Sequence, residues 1–176
     1  MSGHSHWAGI KHKKGAADAK RGEVFGKLLA AITVAANGEP NPDFNPRLRT
    51  AVLKAKEANV PAYRIAAAIT RASDAMGGLE DLILEAYGPG GAALLIEAAS
   101  ANRNRTIPEI KKILADHGGK WAESGSVRWA FEASPDGNWR AKFPQGLGPE
   151  DAGKLTELIA ALEEHSDVQK IHTSSK

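Results

Sequence analysis

The chain has 176 residues, 42% hydrophobic and 25% charged, with no cysteine and a formal net charge of +2. Those proportions suit one large or two small folded domains; they exclude a fibre, a disordered chain, a disulfide scaffold and thiol or zinc–thiolate chemistry. No run approaches the roughly 18 apolar residues of a membrane span, and the first residues lack a secretion or transit pattern, so a cytoplasmic protein without membrane partners is expected.

The near-neutral total conceals a split. Residues 1–76 carry 12 Lys/Arg against 6 Asp/Glu, whereas residues 77–176 carry 11 against 15. A basic block before an acidic one predicts two domains, 1–76 and 79–173, with nucleic acid as the first candidate partner of the basic one.

In chain order, apolar residues recurring from Val24 to Ala36 predict a helix over about 16–36, closed by Asn37-Gly38-Glu39-Pro40. Asn45 as N-cap and Pro46 at the first turn open a second helix, with Leu48, Ala51, Val52 and Ala55 inward. Pro61 opens a third, with Ala62, Ile65, Ile69 and Ala72 inward, and Gly77-Gly78 ends the helical region. The period then changes. Residues 82–87 and 92–100 read as strands about the Gly88-Pro89-Gly90-Gly91 turn, whose glycines are assigned to turn geometry. Thr106-Ile107-Pro108-Glu109 reads as a capping box before a helix to about His117. Residues 127–132 and 139–143 read as a second hairpin, 150–165 as a last helix and 168–172 as a closing strand. The predicted fold is α+β: a three-helix domain, then a ferredoxin-like β-α-β-β-α-β domain with an extra leading strand.

The densest chemical signal is the N-terminal arm. His4, Trp7, Lys11, His12, Lys13 and Lys14 are followed by Lys20, Arg21 and Lys27. Cationic side chains neutralise phosphates, while Trp and imidazole rings are flat surfaces for unpaired bases. Without an apolar period before Ala16, the arm is expected to be extended; its alternative is a solvated tail with Trp7 folded onto the helices. Arg47 with Lys54, Arg49 with Lys56, and Arg64 with Arg71 form helical rows suited to phosphate or to a solvated face. Arg103 and Arg105, before the capping box, would clamp an anion or pair with acidic neighbours.

Enzyme readings find less support. His4, His6 and His12 lack a carboxylate at metal-ligand spacing, so no metal site is assigned. Glu123-Ser124-Gly125-Ser126 lacks the Gly-x-Ser-x-Gly pattern, and Asp81, Glu85, Glu163 and Glu164 read as solvated carboxylates. Trp121, Trp129 and Trp139 read as core or sheet-face residues. No catalytic residue, cofactor or small-molecule substrate is expected.

Gly3-His4-Ser5-His6-Trp7, Lys11-His12-Lys13-Lys14 and Asp18-Ala19-Lys20-Arg21-Gly22 resemble the opening of the YebC family, bacterial relatives of a mitochondrial translational activator of cytochrome oxidase subunit I. Asn45-Pro46-Arg47-Leu48-Arg49, Glu85 to Gly91, Asn102 to Thr106, Gly125-Ser126-Val127 and Asp167-Val168-Gln169 continue that resemblance along nearly the whole chain. It implies a non-catalytic protein with a helical, nucleic-acid-gripping first domain. Family members are labelled transcriptional regulators on promoter DNA and are also implicated as ribosome-associated factors contacting ribosomal RNA. They usually carry a further α/β domain before the C-terminal helix, where this sequence runs directly from Phe143 to Pro149; a natural short form is expected.

The resulting expectation is a non-enzymatic regulator of gene expression. The preferred target is ribosomal RNA on the ribosome, with Lys11, Lys13, Lys14, Lys20 and Arg21 on phosphates, His4, Trp7 and His12 on bases or sugars, and Arg103 and Arg105 in a secondary contact. A transcriptional regulator on promoter DNA is the alternative, and a scaffold binding a protein through the ferredoxin-like sheet is the second.

Overall fold

A computed structural model describes residues 4–73, 78–135 and 138–176, with side chains from Gly15 onward except that of Ser73. Helices α1 (His4–Ala36), α2 (Pro46–Glu57) and α3 (Ala62–Ser73) come first. The remainder orders as β1 (Glu80–Tyr87), β2 (Ala93–Ser100), α4 (Arg103–Asp116), β3 (Lys120–Ala122), β4 (Phe131–Ala133), β5 (Trp139–Ala141), α5 (Pro149–Glu163) and β6 (Val168–Thr173).

The N-terminal arm is helical rather than extended: α1 begins at His4, twelve residues before the expected start. Apolar periodicity reports which part of a helix is packed, and the residues of α1 from Gly15 to Val24 are exposed. From Phe25 onward α1 does pack. Ile32, Ala35 and Ala36 join Leu48, Ala55, Val60, Ile65 and Ala68 in one apolar cluster. Asn45 caps α2 as expected, accepting the Leu48 N–H at 3.0 Å while its amide donates to the Ala35 carbonyl. That pair of bonds ties the start of α2 to the end of α1. In α3, Ile65, Ile69 and Ala72 face the cluster as expected, Ala68 joins them, and Ala62 is exposed.

The main sheet has the order β3-β1-β2-β6, every neighbour antiparallel. Strands β2 and β3 run parallel with β1 between them, so β2, α4 and β3 form a split β-α-β unit and α5 delivers β6 to the edge of β2. This is a ferredoxin-like sheet in permuted chain order. The leading strand, expected outside, occupies the inner position assigned to the second hairpin. Its eight residues pair fully with β2 across a short turn, closing more ladder at less entropy cost than the three-residue strands β4 and β5 can. Those two form a separate small sheet, and β3, three residues long, was not anticipated.

Alternation along β1 and β2 separates the faces. Leu82, Leu84, Leu94 and Ile96 meet Ile110, Leu114, Leu155, Leu158 and Leu162 of α4 and α5. On the opposite face Ala93 and Leu95 meet Val127, Ala130 and Phe131 beneath the small hairpin. The GPGG turn is geometric: Gly90 and Gly91 hold φ of +68° and +76°, and a Cβ on Gly88 would stand 2.7 Å from Leu155 Cδ1.

Candidate nucleic-acid interface

At 1.5 Å per residue, the 33-residue α1 is about 50 Å long. Every described side chain from Gly15 to Val24 is exposed. The helix therefore leaves its bundle and projects, carrying Lys20 and Arg21 into solvent. His4, Trp7, Lys11, His12, Lys13 and Lys14 belong to the same helical rod, with side chains outside the described residues; His6 shares that position. Helical spacing places positions 13, 20 and 27 on one stripe and 14 and 21 on the adjacent one.

The other expected contacts have partners inside the protein. The Lys27 amine donates to the Glu163 carbonyl at the C-terminal end of α5, where a helix favours a cation. Arg47 pairs with Asp81 at 2.5 Å, tying α2 to β1. Arg49 donates to the Pro42 and Asp43 carbonyls and braces the loop before α2. By contrast, Lys54, Lys56, Arg64 and Arg71 are exposed and make no ion pair among the described residues.

Arg103 and Arg105 take the acidic-neighbour alternative. Arg103 meets Glu80 at 3.0 Å and Arg105 meets Asp167 at 2.6 Å. They also lie inside α4, whose N-cap is Asn102 rather than Thr106. Asn102 accepts the Asn104 N–H at 3.1 Å, whereas the Thr106 hydroxyl is turned to Asp167 and Ser100. Burial pushes the Asp167 carboxyl up, but the Thr106 hydroxyl and the Arg105 guanidinium outweigh it and hold it below the usual carboxylate range.

A groove of about 540 Å³ lies between α1, α2 and the sheet's hairpin-side face. Lys27, Arg47, Lys54 and Lys170 line it opposite Asp81 and Glu97, and the Gln169 Nε2 buried at its wall has no hydrogen-bond partner among the described residues.

Two residues read as ordinary in the sequence are not. Glu85, expected in solvent, is 3% exposed and accepts the Gly125, Val127 and Arg128 N–H groups at 2.5, 2.6 and 2.8 Å. Burial raises its pKa, and those donors with the Arg128 charge more than reverse it, leaving the carboxyl below its ordinary value. A charged residue on an otherwise apolar strand was the available signal. Trp129, expected in the core or on a sheet face, is 60% exposed, and its ring centroid lies 6.0 Å from that of Phe143, itself 65% exposed. Trp121 lies under the Lys111 amine and Trp139 under the Arg128 guanidinium, both partly buried.

Comparison with known proteins identifies the architecture. A family model described as the TACO1/YebC protein N-terminal domain matches residues 5–75, and one described as the TACO1/YebC second and third domain matches residues 79–135. A protein of Dictyoglomus thermophilum named "Probable transcriptional regulatory protein" is 50% identical over 187 aligned positions, covering 97% of this chain and 75% of that protein. One of the same name from Solibacter usitatus is 51% identical over 134 positions, covering 75% of this chain and 54% of that protein. The chain thus spans about half the length of several curated relatives it matches. The crystal structure of a conserved hypothetical protein, Aq1575, from Aquifex aeolicus superposes with a TM-score of 0.82 at 32% identity, covering 97% of this chain and 96% of that one. Within this chain only residues 142–148 connect β5 to α5, a stretch too short for a domain. The matched models and relatives together place the chain in the TACO1/YebC family.

Proposed function

We propose that this chain is a non-enzymatic regulator of gene expression that grips nucleic acid through its basic first domain, residues 1–76, and that its target is ribosomal RNA on the ribosome. The observation that carries the nucleic-acid reading is the projecting front of α1, a rod with exposed Lys20 and Arg21 and with Lys11, Lys13 and Lys14 in its sequence. A bare basic helix outside any core has no folding role that would hold it there. Lys11, Lys13, Lys14, Lys20 and Arg21 contact phosphates, and His4, Trp7 and His12 meet bases or sugars at the rod's end. The family resemblance supplies the ribosome, and unpaired bases of structured RNA suit the ring-bearing tip. The names of the relatives support a regulator of gene expression. The two carboxylates that are sheltered from solvent and held below their ordinary pKa, Glu85 and Asp167, anchor loops and helix ends, which fits a binding protein.

Promoter DNA is the second reading. A helix about 10–12 Å across fits the roughly 12 Å major groove of B-DNA, whereas that of A-form RNA is too narrow to admit it. The relatives' printed names favour it too.

Sedimentation of cell lysate through a sucrose gradient separates the two, run with the wild type and a Lys11/Lys13/Lys14→Ala variant. Co-migration of the wild type with ribosomal particles, lost in the variant, is the expected result. Wild type remaining at the top while shifting promoter DNA in a gel replaces the ribosome with transcription.

A further inference from the structure

The second domain carries an exposed aromatic cluster of its own. The Tyr87 hydroxyl and the Trp129 Nε1 both donate to the Ser126 carbonyl, at 3.3 and 2.7 Å, so their rings converge on one spot. Phe143 joins from the strand side, tilted 50° to Trp129. The three Glu85 hydrogen bonds fix the loop beneath, which makes the cluster a rigid surface.

Its charge surroundings differ from those of the domain's paired cations. Arg103, Arg105, Lys112 and Lys154 are each paired with a carboxylate. Four cations lie close to the aromatic residues in the ladder or the chain: Lys120 opposite Tyr87 in the ladder, Arg128 and Lys142 next to Trp129 and Phe143 in the sequence, and Arg140 on β5. All four are exposed and in no ion pair among the described residues, although Glu132 stands across the ladder from Arg140. Exposed rings with solvent-exposed cations nearby combine the two elements of a single-strand nucleic-acid site, stacking faces for bases and positive charge for the intervening phosphates, even though Arg128 also lies over Trp139 and lends charge to Glu85. A protein interface of ordinary size has the opposite pattern, with charge depleted at its centre and a far larger apolar area than three rings supply.

We propose that Tyr87, Trp129 and Phe143, with Lys120, Arg128, Arg140 and Lys142, form a second contact that stacks unpaired bases of single-stranded RNA. It rests on the nucleic-acid reading above but does not share residues with α1.

The test measures fluorescence anisotropy of the full chain with three labelled probes: an unstructured RNA oligonucleotide, an RNA duplex and a DNA duplex. Removing the two most exposed rings, Trp129→Ala with Phe143→Ala, is expected to weaken the unstructured RNA about tenfold, since a stacked base contributes roughly one to two decades of affinity, and to leave both duplexes within about twofold. Trp129→Phe, which keeps a stacking face, restores most of the loss and guards against a folding artefact. A Lys13/Lys14/Lys20→Ala variant weakens all three probes. Equal binding of the unstructured RNA by the wild type and the double variant overturns the stacking site and leaves the α1 reading intact. A wild type that binds none of the probes overturns both. A wild-type dimer that the double variant abolishes, with RNA affinity unchanged, reassigns the cluster to contact between copies of this chain.

Discussion

The two faces of the main sheet are made from the same two long strands and have opposite fates. On one, Leu84, Leu94 and Ile96 alternate inward and are sealed by α4 and α5 into a continuous apolar layer. On the other, Glu85, Glu97, His172 and Lys170 stand among Ala93 and Leu95, and cover is divided between the small hairpin and the α1–α2 pair. The first face holds the fold together through dispersion and exclusion of water. The second is held by specific hydrogen bonds and leaves open ground, namely the interdomain groove and the aromatic cluster.

Substitutions should expose that contrast, the sealed face giving the largest effect. Leu94→Ala empties a fully buried position and is expected to lose about 2–5 kcal/mol of unfolding free energy in urea denaturation. A loss below about 1 kcal/mol would mean the α4–α5 face is not the main core. On the other face, Glu85→Gln leaves backbone donors partly unsatisfied and should cost about 1–3 kcal/mol, with hydrogen exchange of the Gly125, Val127 and Arg128 amides accelerated first.

Acid sharpens the comparison, because it reaches the charged anchors and not the leucines. Glu85 and Asp167 both have folded pKa values below their ordinary ones. Their contribution is therefore complete above the unfolded values, about 4.3 and 3.9, and is lost as pH falls through the lowered folded values. Stability should change little on this account between pH 7 and 5 and decline below about pH 4, with a shallower decline in a Glu85→Gln/Asp167→Asn variant. An identical acid limb in that variant would remove both anchors from the explanation. The smallest effect belongs to the seam. Arg47→Ala breaks a largely exposed pair with Asp81 and should cost under about 1 kcal/mol, read as faster exchange in α2 without a change in the sheet.

What was legible in the sequence divides along the same line. Packed elements announced themselves: the α1 stripe from Phe25, the Asn45-Pro46 start of α2, and the β1–β2 hairpin about its glycines all carry the period of their buried side. The front of α1 has no such period, and its described residues from Gly15 to Val24 are exposed, so a helix there looks in the sequence like an extended arm. Strand β3 is three residues long, below the length at which alternation can register. The Thr106 capping pattern was a plausible box whose hydroxyl tertiary contacts took elsewhere, leaving Asn102 as the cap. Among site residues, the basic composition of α1 was readable. Whether a given arginine faced solvent was not, since Arg47, Arg103 and Arg105 find their acids 34, 23 and 62 positions away in the chain. Trp129 and Glu85 were misread together, and for one reason: a buried glutamate holds up the loop that keeps an indole in water.

The Arg47–Asp81 contact has a bearing on how binding to this protein is measured. Added salt releases counterions from nucleic acid, and the slope of affinity against salt is customarily read as a number of phosphate contacts. The same salt screens an exposed ion pair that joins the basic helices to the sheet. If both domains touch one strand, raising the salt frees them from each other while it frees them from the ligand. The slope then counts the seam along with the phosphates. A chain with Arg47 and Asp81 exchanged for each other keeps the pair but reverses it, and comparison with an Arg47→Ala/Asp81→Ala chain would separate the ionic strength felt by the ligand from that felt by the joint.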